Sequence, residues 1–134
     1  VIIMIRISSP RTDDGAIEQE IQAKGLTAPR VTPADIEANI ASEHYFTAAQ
    51  GVAGRNLCAE DPDGVTGLTT NSPLHLLTFC VLVLKNGFTV TGESACASPE
   101  NFDAEVGRKI ARTNAVNKIW PLMGYALKNE LASI

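Results

Sequence analysis

The sequence predicts an α+β domain: a small antiparallel β-hairpin sheet packed with about four helices and assembled as a symmetric homo-oligomer. Three observations predict it. Residues 76–96, LLTFCVLVLKNGFTVTGESAC, place two strand-forming runs around Asn86-Gly87. Helix-start signals stand on both sides of this stretch, at Thr32-Pro33 and Ser98-Pro99. The first strand run is apolar on both faces, so it needs covering twice, by the chain's own helices or by another subunit.

The chain has 134 residues, a length suited to one domain, 1–134. Its hydrophobic content of 45% permits a sizeable core. The formal net charge of −4 argues against DNA or RNA as a general partner, which would call for a basic surface. A small phosphorylated ligand held by two or three arginines stays compatible with that charge.

Residues 1–9, VIIMIRISS, form an apolar run too short for a signal peptide or a membrane span. The run is either an added strand or an extension without a role in the fold. The second reading is preferred, with residues 1–13 flexible or extraneous. No other segment reads as membrane-spanning, so a soluble cytoplasmic protein is expected. The cysteines, Cys58, Cys80 and Cys96, are odd in number and fit no metal spacing. Buried free thiols are expected, with no metal and no cofactor.

Residues 14–24, DGAIEQEIQAK, read as a first helix ended by Gly25. Thr32 as N-cap and Pro33 at the first helical position open a second. Ile36, Ile40 and His44 give it an inner stripe, and it is expected to run to about Phe46 or Ala49. His44 has no visible catalytic partner. Residues 51–73 are rich in Gly, Asp, Asn, Thr and Ser and read as a long loop, either functional or a mobile insertion. Arg55 is its one basic residue, either solvated or closing over an anion.

Asn-Gly at the turn predicts a two-residue type I′ hairpin. That register pairs Val83 with Val90, Val81 with Gly92 and Cys80 with Glu93. It groups Phe79, Val81, Val83, Phe88 and Val90 on one face. Thr89, Thr91 and Glu93 then face water or a ligand.

Ser98 and Pro99 start the next helix, with Phe102, Val106, Ile110 and Thr113 or Asn114 along its inner face. Arg108 and Arg112 lie one turn apart on a neighbouring face. Like charges at that spacing are unfavourable, so carboxylates or an anionic ligand should offset them. Glu105 is the internal candidate for Arg108. The pair is either a solvated face or a phosphate clamp, since guanidinium forks match phosphate oxygens. Pro121 should break or kink the chain, and residues 121–134 read as a last helix. That helix, the doubly apolar strand and Trp120 suggest subunit association.

No nucleophile elbow, phosphate-binding glycine loop or metal spacing is present, so binding without catalysis is the simpler reading. The stretch from Leu84 carries NGF, TGESAC, NFD, GRKIA, an Asn-Ala pair, KIW and GY before a final helix. With TPADIE and SEHYF upstream, it resembles a family of small phage proteins that includes the Thoeris anti-defence sponges. The resemblance covers most of residues 15–134. It implies a protein of the host bacterial cytoplasm that sequesters glycocyclic ADP-ribose without cleaving it. It implies dimers, or hexamers built from dimers, with a pocket between subunits. Some members also bind cyclic di- or trinucleotides at a separate site. Residue by residue, Arg108 and Arg112 match the diphosphate-binding arginines. Phe88, Val90 and Thr91 match positions lining base and ribose, and Arg55 matches a loop arginine. The rival readings are a phage accessory protein that inhibits a host protein by contact, and a hydrolase of the same signal.

Overall fold

The computed structural model describes residues 4–5, 14–58, 69 and 71–134. Its elements are β1 (Met4–Ile5), α1 (Asp14–Ala23), α2 (Pro33–Ala38), β2 (Ile40–Thr47), α3 (Ala48–Cys58), β3 (Leu77–Leu84), β4 (Thr89–Cys96) and α4 (Ala104–Ala132). Short 3-10 turns precede β3 and α4. The expected α+β architecture of an antiparallel sheet with four helices holds. The sheet order is β1-β4-β3-β2, antiparallel throughout.

Two helix boundaries follow their sequence signals. Gly25 takes φ +69, and the Gly25 and Leu26 amides donate to Gln22 and Ile21 at 3.0 and 3.2 Å, closing α1 with a Schellman motif. Thr32 caps α2: its Oγ1 accepts from the Asp35 amide at 3.1 Å, and the Asp35 carboxylate accepts from the Thr32 amide at 2.9 Å.

The second helix stops far earlier than the Ile36–Ile40–His44 spacing predicts. Asn39 ends α2, and residues 40–47 become a strand. The reason lies in β3, whose free edge carries backbone groups that must pair. Tyr45, Phe46 and Thr47 are good strand formers, and β2 supplies that edge from Thr47↔Thr78 to Ile40↔Leu84 with a bulge at Ala41. The expected long loop is also shorter than foreseen, because residues 48–58 form α3. Residues 59–68 and 70 of that loop lie outside the described residues, as do 1–3 and 6–13 of the N-terminal segment. Of the two readings for the N-terminal run, the added strand is the one found at Met4–Ile5, which pairs with Cys96 and Ala95.

The hairpin sits where Asn-Gly places it, but one residue out of the expected register. Leu82 faces Val90, Val81 faces Thr91 and Cys80 faces Gly92. The loop has three residues, Lys85 to Gly87: the Leu84 amide donates to Phe88 O at 2.8 Å and the Gly87 amide to Leu84 O at 2.9 Å. Of these three residues only Gly87 has positive φ, +88, so a type I′ turn, which needs two, is excluded. Asn86 instead uses its side chain, accepting from the Phe88 amide at 2.9 Å. A one-residue shift exchanges cross-strand faces. Val90 therefore joins Cys80, Leu82 and Leu84 beneath α4 rather than Phe79, Val81 and Val83 on the other face.

α4 is a single helix of 29 residues running through Pro121. The expected break does not occur. A proline inside a helix removes one backbone bond and costs about 3 kcal/mol or more. Here Ile119, Trp120 and Met123, packed on the core around it, keep the helix continuous. Its N-cap is Asp103, whose Oδ1 accepts from the Val106 amide at 3.0 Å; Ser98 makes no side-chain cap bond. The buried stripe is Gly107, Ala111, Asn114, Ala115 and Ile119: Asn114 lies on it as expected, while Gly107 and Ala111 replace the expected Val106 and Ile110. Small residues allow α4 to lie close against Gly92. Asn114 Nδ2 donates to Glu93 O at 2.8 Å and fixes the helix along β4. Cys80 and Cys96 are buried free thiols. Among the described residues no helix is long and apolar enough to cross a membrane.

Candidate functional site

Where the first turns of α4 pass the end of the edge strand β2, the chain leaves a cleft of about 430 Å³. Its walls come from five places in the sequence. β2 brings Tyr45, Phe46 and Thr47, α3 brings Gln50, the turn before β3 brings His75, β3 brings Thr78, and Phe102 and Arg108 come from the approach and second turn of α4. Phe46 stacks on Phe79 at 5.4 Å, which fixes one aromatic wall. Thr47 and Gln50 bond to each other's amides at 2.9 and 3.2 Å and cap α3. His75 Nε2 lies 3.1 Å from Thr69 O.

Two groups in this cleft are left uncommitted. Arg108 has no ion-pair partner among the described residues: Glu105, its expected partner, pairs with Lys109 at 3.2 Å instead. Thr78 is only 3% exposed, and its hydroxyl has no hydrogen-bond partner there. A buried hydroxyl without a partner is unfavourable by about 1–3 kcal/mol, which makes Thr78 a local weak point of the fold beside the cleft. An unpaired guanidinium, an orphan hydroxyl, an imidazole and aromatic walls suit an anion attached to a flat ring.

Arg112, one turn on, is arranged differently. Its Nε and Nη2 donate to Glu43 at 3.1 Å each, and its Nη1 and Nη2 donate to Glu37 at 3.0 and 2.7 Å. Tyr45 Oη donates to the same Glu43 at 2.6 Å. These contacts tie α2, β2 and α4 together. The Arg112 bond holds the Glu43 carboxyl below the usual range, with Tyr45 adding to it. The bonds to Glu37 and then Glu43 push Arg112 further up. Burial, then the bond to Glu43, pushes Tyr45 up.

The remaining residues singled out in the sequence lie elsewhere. Val90 is 6% exposed, inside the core. Thr91 is half-buried opposite Val81, on the face away from Val90. Arg55 is exposed in the last turn of α3. Phe88 is 54% exposed at the hairpin tip, beside Leu122 and Met123. Leu122 is 14 residues beyond Arg108 on one helix, so Phe88 and Arg108 stand about 20 Å apart along it. One chain does not bring them together.

Sequence reading missed Thr78, His75, Gln50, Glu37 and Glu43 as parts of this region. Thr78 did leave a signal: it is the one hydroxyl in the apolar run LLTFCVLVL.

Fold and site thus define a small α+β protein with an open cleft at one sheet edge, lined by Arg108, His75 and aromatic side chains. Residues 31–131 match the phage protein (N4 Gp49/phage Sf6 gene 66) family, and the chain belongs to it. No curated protein and no solved structure matches the chain.

Proposed function

We propose that this phage protein is an anti-defence sponge: it binds glycocyclic ADP-ribose, holds it without cleaving it, and so blocks Thoeris signalling in the host cytoplasm. The observation that carries the reading is an aromatic-walled cleft lined by Arg108 and Thr78, neither of which has a side-chain partner among the described residues. Charge-assisted hydrogen bonds from Arg108 supply the phosphate term, about 1.5–3 kcal/mol. Membership of a phage protein family supports a phage role, and the ligand's identity comes from the sequence resemblance to the sponges alone. Because Phe88 stands about 20 Å from Arg108 in one chain, a stacking Phe88 comes from a second copy, in a dimer or in a hexamer of dimers. Arg55, Val90 and Thr91 enter the proposal only through that resemblance, as do cyclic oligonucleotides at a second site.

The test is calorimetric titration with glycocyclic ADP-ribose, followed by heating and chromatography of what is released. Tight binding with intact ligand recovered is the expected result. Recovered hydrolysis products would assign a hydrolase instead. No binding would overturn the sponge and favour inhibition of a host protein by contact. Arg108→Ala should weaken binding roughly 10- to 100-fold while the oligomer persists.

A further inference from the structure

Arg112 sits one turn from Arg108, yet it is already occupied. Four of its five N–H donors are engaged, one from Nε, one from Nη1 and two from Nη2, all by the two carboxylates of Glu37 and Glu43. One guanidinium and two carboxylates leave this cluster a net charge of −1. An anion approaching Arg108 therefore meets a negative neighbour about 6 Å along the helix, the spacing of side chains one turn apart. The two arginines form a clamp only if Arg112 lets go of the carboxylates.

From this geometry we infer that Glu37 and Glu43 are a built-in competitor for Arg112, a carboxylate latch that only a diphosphate-bearing ligand can displace. The inference rests on the binding function proposed above and adds what sets its selectivity. A monophosphate at Arg108 offers Arg112 nothing to replace two forked carboxylates. A diphosphate presents a second charged group at the right spacing, with oxygens that match the same fork. Both carboxylates have somewhere to go. The Glu37 side chain is 57% exposed and returns to water. Glu43 keeps its bond from Tyr45 Oη, which holds it in place when Arg112 leaves. Glu43 and Tyr45 are also the contact between the latch and the cleft, because Tyr45 lines the cleft wall.

A merely structural staple makes the opposite forecast: removing its carboxylates loosens the fold and leaves affinity unchanged or lower. The experiment is calorimetric titration of wild type, Glu37→Gln, Glu43→Gln and the double variant with glycocyclic ADP-ribose and, separately, with AMP. Thermal melts of each protein are recorded alongside. The double variant should bind the diphosphate ligand about tenfold tighter than wild type or better. AMP binding should change far less, and adding Arg112→Ala should remove the gain. If the double variant does not fold, Glu37→Gln, which alters the more exposed partner, should still give a severalfold gain. Wild-type binding with no gain in folded variants would overturn the latch and leave the sponge standing. A gain that survives Arg112→Ala would also overturn the latch. No binding by any variant would overturn both.

Discussion

Gly92 of β4 and Ala111 of α4 touch backbone to backbone. A Cβ at Gly92 would lie inside contact distance of the Ala111 carbonyl oxygen and the Ala115 amide nitrogen, and 3.0 Å from Ala115 Cα. Neither neighbour is a side chain that can rotate away. Gly92→Ala must push α4 off the sheet, and overpacking of this kind costs about 3 kcal/mol at its upper end. Thermal denaturation should show a melting temperature lower by about 10 °C. An unchanged melt would mean that the helix does not lie this close.

Thr78 sets stability against binding. Its hydroxyl is buried without a partner among the described residues, so Thr78→Val removes an unsatisfied group with little change of shape. Urea denaturation of the ligand-free protein should show a gain of about 1 kcal/mol. The same variant should bind glycocyclic ADP-ribose more weakly. A loss of stability would show that the hydroxyl has a partner in the free protein.

Acid should loosen the α1 attachment before the core. Arg30 donates two bonds to Glu18, at 2.5 and 2.8 Å, and these hold its carboxyl at about 2 against an ordinary 4.5. A depressed carboxyl stabilises the fold above its unfolded value, and that contribution disappears as pH falls through the folded one. The window for Glu18 is therefore from about 4.5 down to about 2. Glu43, also depressed, adds to the loss below 4.5. Melting temperatures measured from pH 6 to pH 2 should fall in this window, and Arg30→Gln should flatten the fall.

The Cys80 thiol should resist alkylation. It is fully buried opposite Gly92 and Tyr45, and burial pushes it up to about 11. Thiolate is the reactive form, so both access and ionisation are against reaction. Iodoacetamide at pH 8 followed by peptide mapping should find Cys80 unmodified in the folded protein and modified in urea. Rapid labelling of folded protein would contradict the packing beneath α4.

Local chemistry was legible in the sequence where neighbours along the chain decide the structure. Thr32 with Pro33 announces a cap, Gly25 a helix end, and Asn86-Gly87 a turn. What could not be read were outcomes decided across the chain. The Asn-Gly turn is compatible with two loop lengths, and the pairing of Leu84 with Phe88 selects the three-residue one. Ile36, Ile40 and His44 fit helical spacing, but the open edge of β3 takes residues 40–47 as a strand. The site divides the same way. Arg108 and Arg112 stand out as a pair on one helix. Their different states depend on Glu37 and Glu43, which are 75 and 69 residues from Arg112. Periodicity within α4 carries no information about either.

The length of α4 has a consequence for how the molecule breathes. At 1.5 Å per residue its 29 residues span roughly 43 Å, whereas an eight-residue strand spans about 27 Å. Within one chain the sheet ends before the helix does. Amide protons near Ala111 and Ala115 are released to solvent only when the whole core opens. Those in the last turns, where Tyr125 and Leu131 are exposed, are released by fraying alone. Hydrogen–deuterium exchange should therefore slow progressively from the C-terminal end of this one helix toward Gly107. Any partner that clasps the outer turns would register as new protection there, far from the cleft.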